Sequence, residues 1–218
     1  YKNIHDNDVR YGAPTADADL VGGGQFFWAT KRLFDVALSL FLLPILISTA
    51  IVIILLNPFL NRGSLLFFQK RMGRNCLPFY AIKFRSMTKV AEIIRAHDDP
   101  IELDRITWLG RFMRKTRIDE LPQILNVLKG EMSLIGPRPD FYEHACVFVT
   151  TIPGYAERHV VRPGISGLAQ VNLGYAVGST ATRKKVEKDL HYIQHAGFLM
   201  EARLFLATIV TVVIMAVA

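Results

Sequence analysis

Hydrophobic positions gather into one long run, a set of short alternating stretches and one final run. Residues 33–56 form an apolar run, interrupted by Asp35 near the start and Pro44 near the middle. As a helix, those ~24 residues would extend ~36 Å, enough to cross a bilayer. Residues 65–87 alternate β-friendly runs, 65–69 and 79–84, around Gly73-Arg74-Asn75, which predicts a hairpin. Helical spacing predicts further helices over 89–97, 106–115, 140–150 and 180–196, with Leu109, Phe112 and Met113 sharing one face of the second. Leu121, Ile124, Leu125 and Leu128 mark another helix, with Gly130 as its stop and Asp119 as its N-cap. Residues 153–178 are punctuated by Gly and Pro, and 198–218 are apolar apart from Glu201 and Arg203.

The flanks of the long run argue about its topology. Lys31 and Arg32 precede it; Arg62, Lys70, Arg71 and Arg74 follow it. Basic residues mark the cytoplasmic side, so one crossing would strand one cluster on the wrong face. A helix that enters, bends at Pro44 and returns keeps both clusters inside, since proline removes an N–H and kinks a helix. The plain Pro-kinked transmembrane helix is the competing reading. The expected class is therefore mostly α with a small β-hairpin, a single membrane-associated domain with an N-terminal re-entrant helix-break-helix. Its expected parts are a polar tail (1–24), the embedded helix (25–62), a cytoplasmic catalytic domain (63–197) and an apolar C-terminal helix (198–218). For that last helix, an interfacial position and a second membrane segment both stay open.

Bulk properties narrow the partners. Hydrophobic residues make up 51% of 218 and mean hydropathy is +0.26, which fits membrane association. Lys+Arg exceed Asp+Glu by 26 − 19 = 7, which favours phosphates, nucleotides or an acidic membrane surface. No nucleic-acid-binding motif accompanies this charge, so nucleic acid is not an expected partner. Cys76 and Cys146 lack metal spacing and are expected as reduced thiols; no His-Glu-x-x-His pattern supports a zinc hydrolase.

Candidate chemistry centres on Lys115-Thr116-Arg117-Ile118-Asp119-Glu120-Leu121-Pro122-Gln123. Two adjacent carboxylates beside cations make a hard oxygen site that suits Mg²⁺. An acid-capped surface helix is the bland alternative. Downstream, Gly136-Pro137-Arg138-Pro139 stiffens an arginine between two prolines, which lowers the entropy lost when its fork grips a phosphate. An exposed loop arginine with no such role is the alternative. Together the two segments point to phosphoryl chemistry.

Asp119-Glu120-Leu121-Pro122-Gln123, Asn126 through Ser133 and Gly136-Pro137-Arg138-Pro139 resemble the bacterial sugar transferases, the monotopic phosphoglycosyl transferases. Further similarity lies in Lys31-Arg32 with Asp35, Arg71-Met72-Gly73-Arg74-Asn75, Lys83-Phe84-Arg85-Ser86-Met87 and Gly110 through Lys115. It continues through Arg162-Pro163-Gly164 to Val171 and Asp189-Leu190-His191-Tyr192. Leu43-Pro44 stands where the family typically has Ser-Pro.

The resemblance implies transfer of a sugar-1-phosphate from a UDP-sugar to polyprenol phosphate, giving polyprenol-diphosphate-sugar and UMP, the first membrane step of exopolysaccharide or surface-glycan synthesis. It implies Mg²⁺ and a catalytic domain on the cytoplasmic face of the bacterial inner membrane, among anionic lipids. A homodimer stays open. Asp119 and Glu120 are the implied catalytic pair, Asp119 as nucleophile, and both are candidate metal ligands. Lys83, Arg85, Arg114, Arg138, Arg162 and Asp189 are the implied substrate-binding residues. Each has a plain structural alternative: Lys83 and Arg85 as a solvated strand face, Arg114 as an ion-pair partner, Arg162 as a turn buttress, Asp189 as a helix charge. A Mg²⁺-dependent hydrolase and a non-catalytic basic scaffold are the competing functions.

Overall fold

A computed structural model describes residues 21–88, 103–173 and 179–217. The helix expected over 89–97 and most of the expected tail lie outside the described residues. Helix α1 runs from Gly24 to Leu60 and holds both Pro44 and Pro58. It is continuous through Pro44, so the expected break is not seen. Phe27, Lys31, Asp35, Ser39, Leu46 and Ile53 are its buried residues, spaced by four or seven into one stripe. That stripe packs on the rest of the chain along the whole helix. At one end Arg32 donates to the Val127 carbonyl (2.8 Å); at the other Asn61 donates to that of Arg85 (2.7 Å). The opposite face is bare apolar surface, with Phe26, Leu33, Phe41, Leu55 and Phe59 at two-thirds exposure or more.

The expected hairpin forms from β1 (Leu66–Met72) and β2 (Pro78–Phe84), antiparallel with Leu66 opposite Phe84 and Met72 opposite Pro78. Asn75 and Cys76 take left-handed φ values at its bend. Helix α2 (Trp108–Lys115) is capped by the Thr107 hydroxyl, which accepts from the Gly110 N–H. A Cβ on Gly110 would sit 1.9 Å from the Ser86 carbonyl oxygen, so only glycine lets α2 approach the hairpin here. Leu109 and Met113 enter the core as expected, but Phe112 does not. It lies on an exposed stripe with Trp108, four residues before it.

The Asp119 segment also departs from expectation. Arg117 (φ 58°) opens a 3₁₀ turn, Ile118–Gln123, which runs into α3 (Ile124–Lys129). Asp119 is thus the second residue of a tight turn rather than an N-cap, and Pro122 has no N–H to offer a cap at the N3 position. Gly130 (φ 87°) ends α3 as expected. Strands β3 (Ser133–Ile135) and β4 (Gly164–Ser166) pair in parallel, Ser133 opposite Gly164. Three-residue strands give too short an alternation to be read from sequence.

Helices α4 (Tyr142–Thr151), α5 (Leu168–Leu173), α6 (Ser179–Gln194) and α7 (Phe198–Val217) complete the chain. Leu46, Ile53, Phe84, Leu109, Met113 and Ile124 form the core cluster that joins α1, the hairpin, α2 and α3. A second cluster, around Met72, Phe148, Tyr155 and Val186, fixes α4 and α6 behind the hairpin. The 3₁₀ turn is thereby clamped between β2, α2 and the segment after β3.

Candidate active site

Lys83 projects from β2 toward the 3₁₀ turn, and Arg138 approaches from the segment after β3. Both reach Glu120. Lys83 Nζ donates to Glu120 Oε1 at 2.9 Å, and Arg138 Nη1 to Glu120 Oε2 at 3.1 Å. Arg138 Nη2 also donates to Oε1, completing a bidentate fork, and Nη1 further reaches the Ile165 carbonyl (3.0 Å). Burial alone would raise the Glu120 carboxyl, but Arg138 and Lys83 outweigh it and hold it well below the usual range. Burial lowers Lys83 to about 8 despite the neighbouring Glu120. Arg138 is therefore a half-buried, engaged group and not the exposed loop arginine that its sequence suggests.

Asp119 differs from its neighbour. Its carboxylate is buried, and Oδ1 has no hydrogen-bond partner among the described residues. Burial first, and Glu120 second, push its acid up to about 6, against the pull of Lys83, Arg114 and Arg117. At neutral pH it is mainly ionised, with Oδ1 unpaired among the described residues. Such a carboxylate is a competent nucleophile or an inner ligand for a hard cation.

Arg114 stands by on α2, its Nε donating to the Ser86 hydroxyl at 2.9 Å. Lys83, Arg114 and Arg138 therefore lie around the carboxylate pair. Three other expected residues lie elsewhere. Arg85 directs its guanidinium to the Asn61, Ser64 and Met87 carbonyls, which ties the end of α1 to the hairpin. Arg162 donates to the Gly130 carbonyl (2.9 Å) at the far end of α3. Asp189 is buried in α6 against Arg158, with 2.7 Å between Nη2 and Oδ2, close but misaligned for a hydrogen bond.

Residues outside the expected set support the site from behind. Arg71 donates to the Pro139 carbonyl (2.9 Å), and burial, aided by Arg138, lowers its guanidinium to about 10. Arg158 is fully buried and donates to the Arg138 carbonyl (2.6 Å) and to Asp140 Oδ2 (2.5 Å). Asp140 also accepts from the Tyr155 hydroxyl (2.7 Å) and from Lys185. Despite burial, Lys185 and Arg158 keep its carboxyl far below the usual range. Asn126, fully buried, accepts from the Ile82 N–H (3.0 Å) and donates to the Tyr80 carbonyl (2.8 Å), riveting α3 to β2. Arg71 and Asn126 lie inside the quoted motifs; Arg158, in a stretch without periodicity, carries no local signal.

Two acids are too few for an all-protein metal cage, and the described residues hold no group of three or more potential ligands. The unpartnered Asp119 Oδ1 beside the Glu120 carboxylate does fit Mg²⁺, which binds through one or two carboxylates and takes its other oxygens from phosphates and water.

Comparison with known proteins identifies the family. The family described as bacterial sugar transferase matches residues 26–215. The chain belongs to the bacterial sugar transferase family. Among relatives of this family, the UDP-N-acetylgalactosamine-undecaprenyl-phosphate N-acetylgalactosaminephosphotransferase of Aeromonas hydrophila is 43% identical over 172 residues, covering 78% of this chain and 39% of the relative. The UDP-glucose:undecaprenyl-phosphate glucose-1-phosphate transferase of Klebsiella pneumoniae is 37% identical over 203 residues, covering 90% and 42%. Exopolysaccharide production protein PSS of Rhizobium leguminosarum is 35% identical over 193 residues, covering 83% and 94%. The chain thus spans about two-fifths of the first two sugar transferases and nearly all of the third.

Proposed function

We propose that this protein transfers a sugar-1-phosphate from a UDP-sugar to a polyprenol phosphate, giving polyprenol-diphosphate-sugar and UMP. The observation that carries the reading is the asymmetry of the acidic pair. Glu120 is clamped by Lys83 and Arg138, while Asp119 Oδ1 is buried without a partner among the described residues. The names of the Aeromonas and Klebsiella relatives support the reaction class.

In this mechanism an Asp119 carboxylate oxygen attacks the β-phosphorus of the UDP-sugar. The bond from that phosphorus to the bridging oxygen breaks, and UMP departs with the electron pair. A phosphosugar is left on Asp119. An oxygen of the polyprenol phosphate then attacks the same phosphorus and releases the carboxylate. Two easier displacements replace one difficult one. Arg138 and Lys83 are placed to exchange Glu120 for diphosphate oxygens, and Arg114 adds charge to the same side. Asp119 and Glu120 would hold Mg²⁺, whose charge offsets that of the diphosphate.

The membrane arrangement follows the same reading. Residues 25–62 form a membrane-embedded element with both ends on the cytoplasmic side, which places 63–197 at the cytoplasmic surface, with 198–218 as a further membrane-associated helix. Support comes from the buried stripe of α1, whose two ends both touch the catalytic body, and from the bare apolar face opposite. A helix crossing once would carry one end away from that body.

Purified full chain, Mg²⁺ and a panel of UDP-sugars, with UMP release as read-out, test the reaction. UMP should accumulate beyond one equivalent only when polyprenol phosphate is present. Equal multiple turnover without the lipid identifies a hydrolase and overturns the proposal.

A further inference from the structure

A second cationic cleft, of about 150 Å³, lies between the N-terminal part of α1, the hairpin bend and the segment leading into β4. Trp28, Lys31, Arg32, Asp35, Arg74 and Arg162 line it. Its charge is not balanced from within. Lys31 is neutralised by Glu201 at 2.7 Å, and Asp35 is held by the Ser133 hydroxyl and the Leu134 N–H. Arg32, Arg74 and Arg162 have no carboxylate within ion-pair distance among the described residues.

The three guanidinium groups are nevertheless fixed. Arg74 Nε donates to the Val160 carbonyl (3.0 Å) and Arg162 Nε to that of Gly130 (2.9 Å). Arg32 spans the Val127 and Leu128 carbonyls at the C-terminal end of α3. Anchoring through Nε leaves the Nη groups of Arg74 and Arg162 for another acceptor. Two forks held by backbone lose little entropy when they close on a tetrahedral anion. Crowding is visible in Arg162, whose guanidinium is lowered by burial first and by Arg32 and Arg74 next.

The cleft is separate from the carboxylate pair. Asp119 sits near the start of the helical stretch Ile118–Lys129, and Arg32 and Arg162 close its far end. That stretch spans roughly 15–20 Å at 3₁₀ and α rises, too far for one phosphate to touch both. Bare apolar surface borders the cleft instead. Leu33 follows Arg32 directly at 70% exposure, Phe26 is 78% exposed, and the half-buried Trp28 ring forms part of the wall. A soluble nucleotide has no use for that border, whereas a headgroup phosphate with acyl chains attached needs both surfaces.

We propose that this cleft binds the phosphate of an anionic glycerophospholipid, fixing the depth and tilt of the N-terminal end of α1 at the membrane surface. The proposal concerns binding and stands whether or not the transfer reaction is correctly assigned. Detergent-solubilised full chain is titrated with dioctanoyl phosphatidylglycerol, dioctanoyl phosphatidylcholine, inorganic phosphate, UDP and a short polyprenyl phosphate, with adducts read by native mass spectrometry. Phosphatidylglycerol should bind saturably, about tenfold more weakly in Arg74→Gln than in wild type, and should outcompete phosphatidylcholine. The same lipid should shield Arg74 and Arg162 of wild type from phenylglyoxal, a read-out that needs no variant.

Equal phosphatidylglycerol binding by wild type and Arg74→Gln, equal binding of phosphatidylcholine, or absence of shielding overturns the proposal. Inorganic phosphate or UDP with the same Arg74 dependence makes the cleft a soluble-anion site and overturns it too. So does polyprenyl phosphate that phosphatidylglycerol cannot displace, which makes the cleft the acceptor's.

Discussion

Lys31 and Glu201, separated by 170 residues, meet at 2.7 Å and join the first helix to the last. Glu201 also accepts from the Tyr192 hydroxyl, while Lys31 stands 3.8 Å from Asp35. The lone acid of the C-terminal run is thus the partner of a buried lysine and not an interruption. Removing one member of a buried pair leaves an uncompensated charge, so Glu201→Leu should cost about 3–5 kcal/mol. Adding Lys31→Met should restore much of that loss. Chemical unfolding of the four proteins of this cycle checks it, and strictly additive losses would show that the two residues are not coupled.

Asp119→Asn should reduce UMP release by at least about a hundredfold, because an amide cannot form the phosphosugar. Its folding should not suffer. Burial already raises the acid, so a neutral isostere removes a desolvation cost, and the melting temperature should equal or exceed that of wild type. Turnover near the wild-type rate would remove the covalent role.

Arg138 grips Glu120 through both terminal nitrogens, so Lys at this position keeps charge and loses the fork. Arg138→Lys should lower kcat/KM about ten- to a hundredfold, or roughly 1–3 kcal/mol. Sequence reasoning alone expects stability to be indifferent to this arginine. The structure revises that: Arg138→Ala leaves buried Glu120 with Lys83 as its remaining cation and should lower stability by about 1–3 kcal/mol. Unchanged melting in Arg138→Ala would mean that Glu120 is solvated rather than clamped.

Legibility from sequence follows locality. The hairpin, α3 with its Gly130 stop, α4 and α6 were readable because periodicity and turn residues lie within a few positions of one another. Asp119, Glu120, Lys83, Arg114 and Arg138 were readable through the motif resemblance. What escaped depends on tertiary contact. Arg85 and Arg162 look like substrate ligands in sequence, but their anchors are backbone carbonyls supplied by other elements. Arg158 looks like any loop arginine until Asp140 and Asp189 close around it. Leu109, Phe112 and Met113 share one face by spacing, but spacing does not reveal how far round the helix burial extends, and Phe112 stays exposed.

Both flanks of α1 should label from the cytoplasmic side. Single cysteines near residues 28 and 62, placed in a chain lacking Cys76 and Cys146, can be probed in intact cells with an impermeant thiol reagent. Neither should react until the membrane is permeabilised. Labelling of one alone in intact cells would establish a single crossing, with the Lys31–Arg32 and Arg62 clusters on opposite faces.

His159 gives a pH signature. Its ring is buried, Nδ1 lies 3.1 Å from the Gly73 carbonyl, and Nε2 has no partner among the described residues. Burial first, and Arg158 next, lower its acid from 6.5 to about 3. The unfolded chain therefore takes a proton as pH falls through about 6.5 while the folded chain refuses it. This group's stability contribution is lost on acidification, at up to about 1.4 kcal/mol per pH unit. Asp119 acts in the opposite sense: raised to about 6, it takes its proton in the folded state first and gains stability as pH falls. Wild type alone would blur the two. His159→Asn keeps a donor for Gly73 and removes the titration, so the difference between the proteins isolates the histidine. Between pH 7 and 5, His159→Asn should gain about 1–2 kcal/mol relative to wild type in urea unfolding. Parallel curves over that range would mean that the imidazole reaches water and protonates in the folded protein.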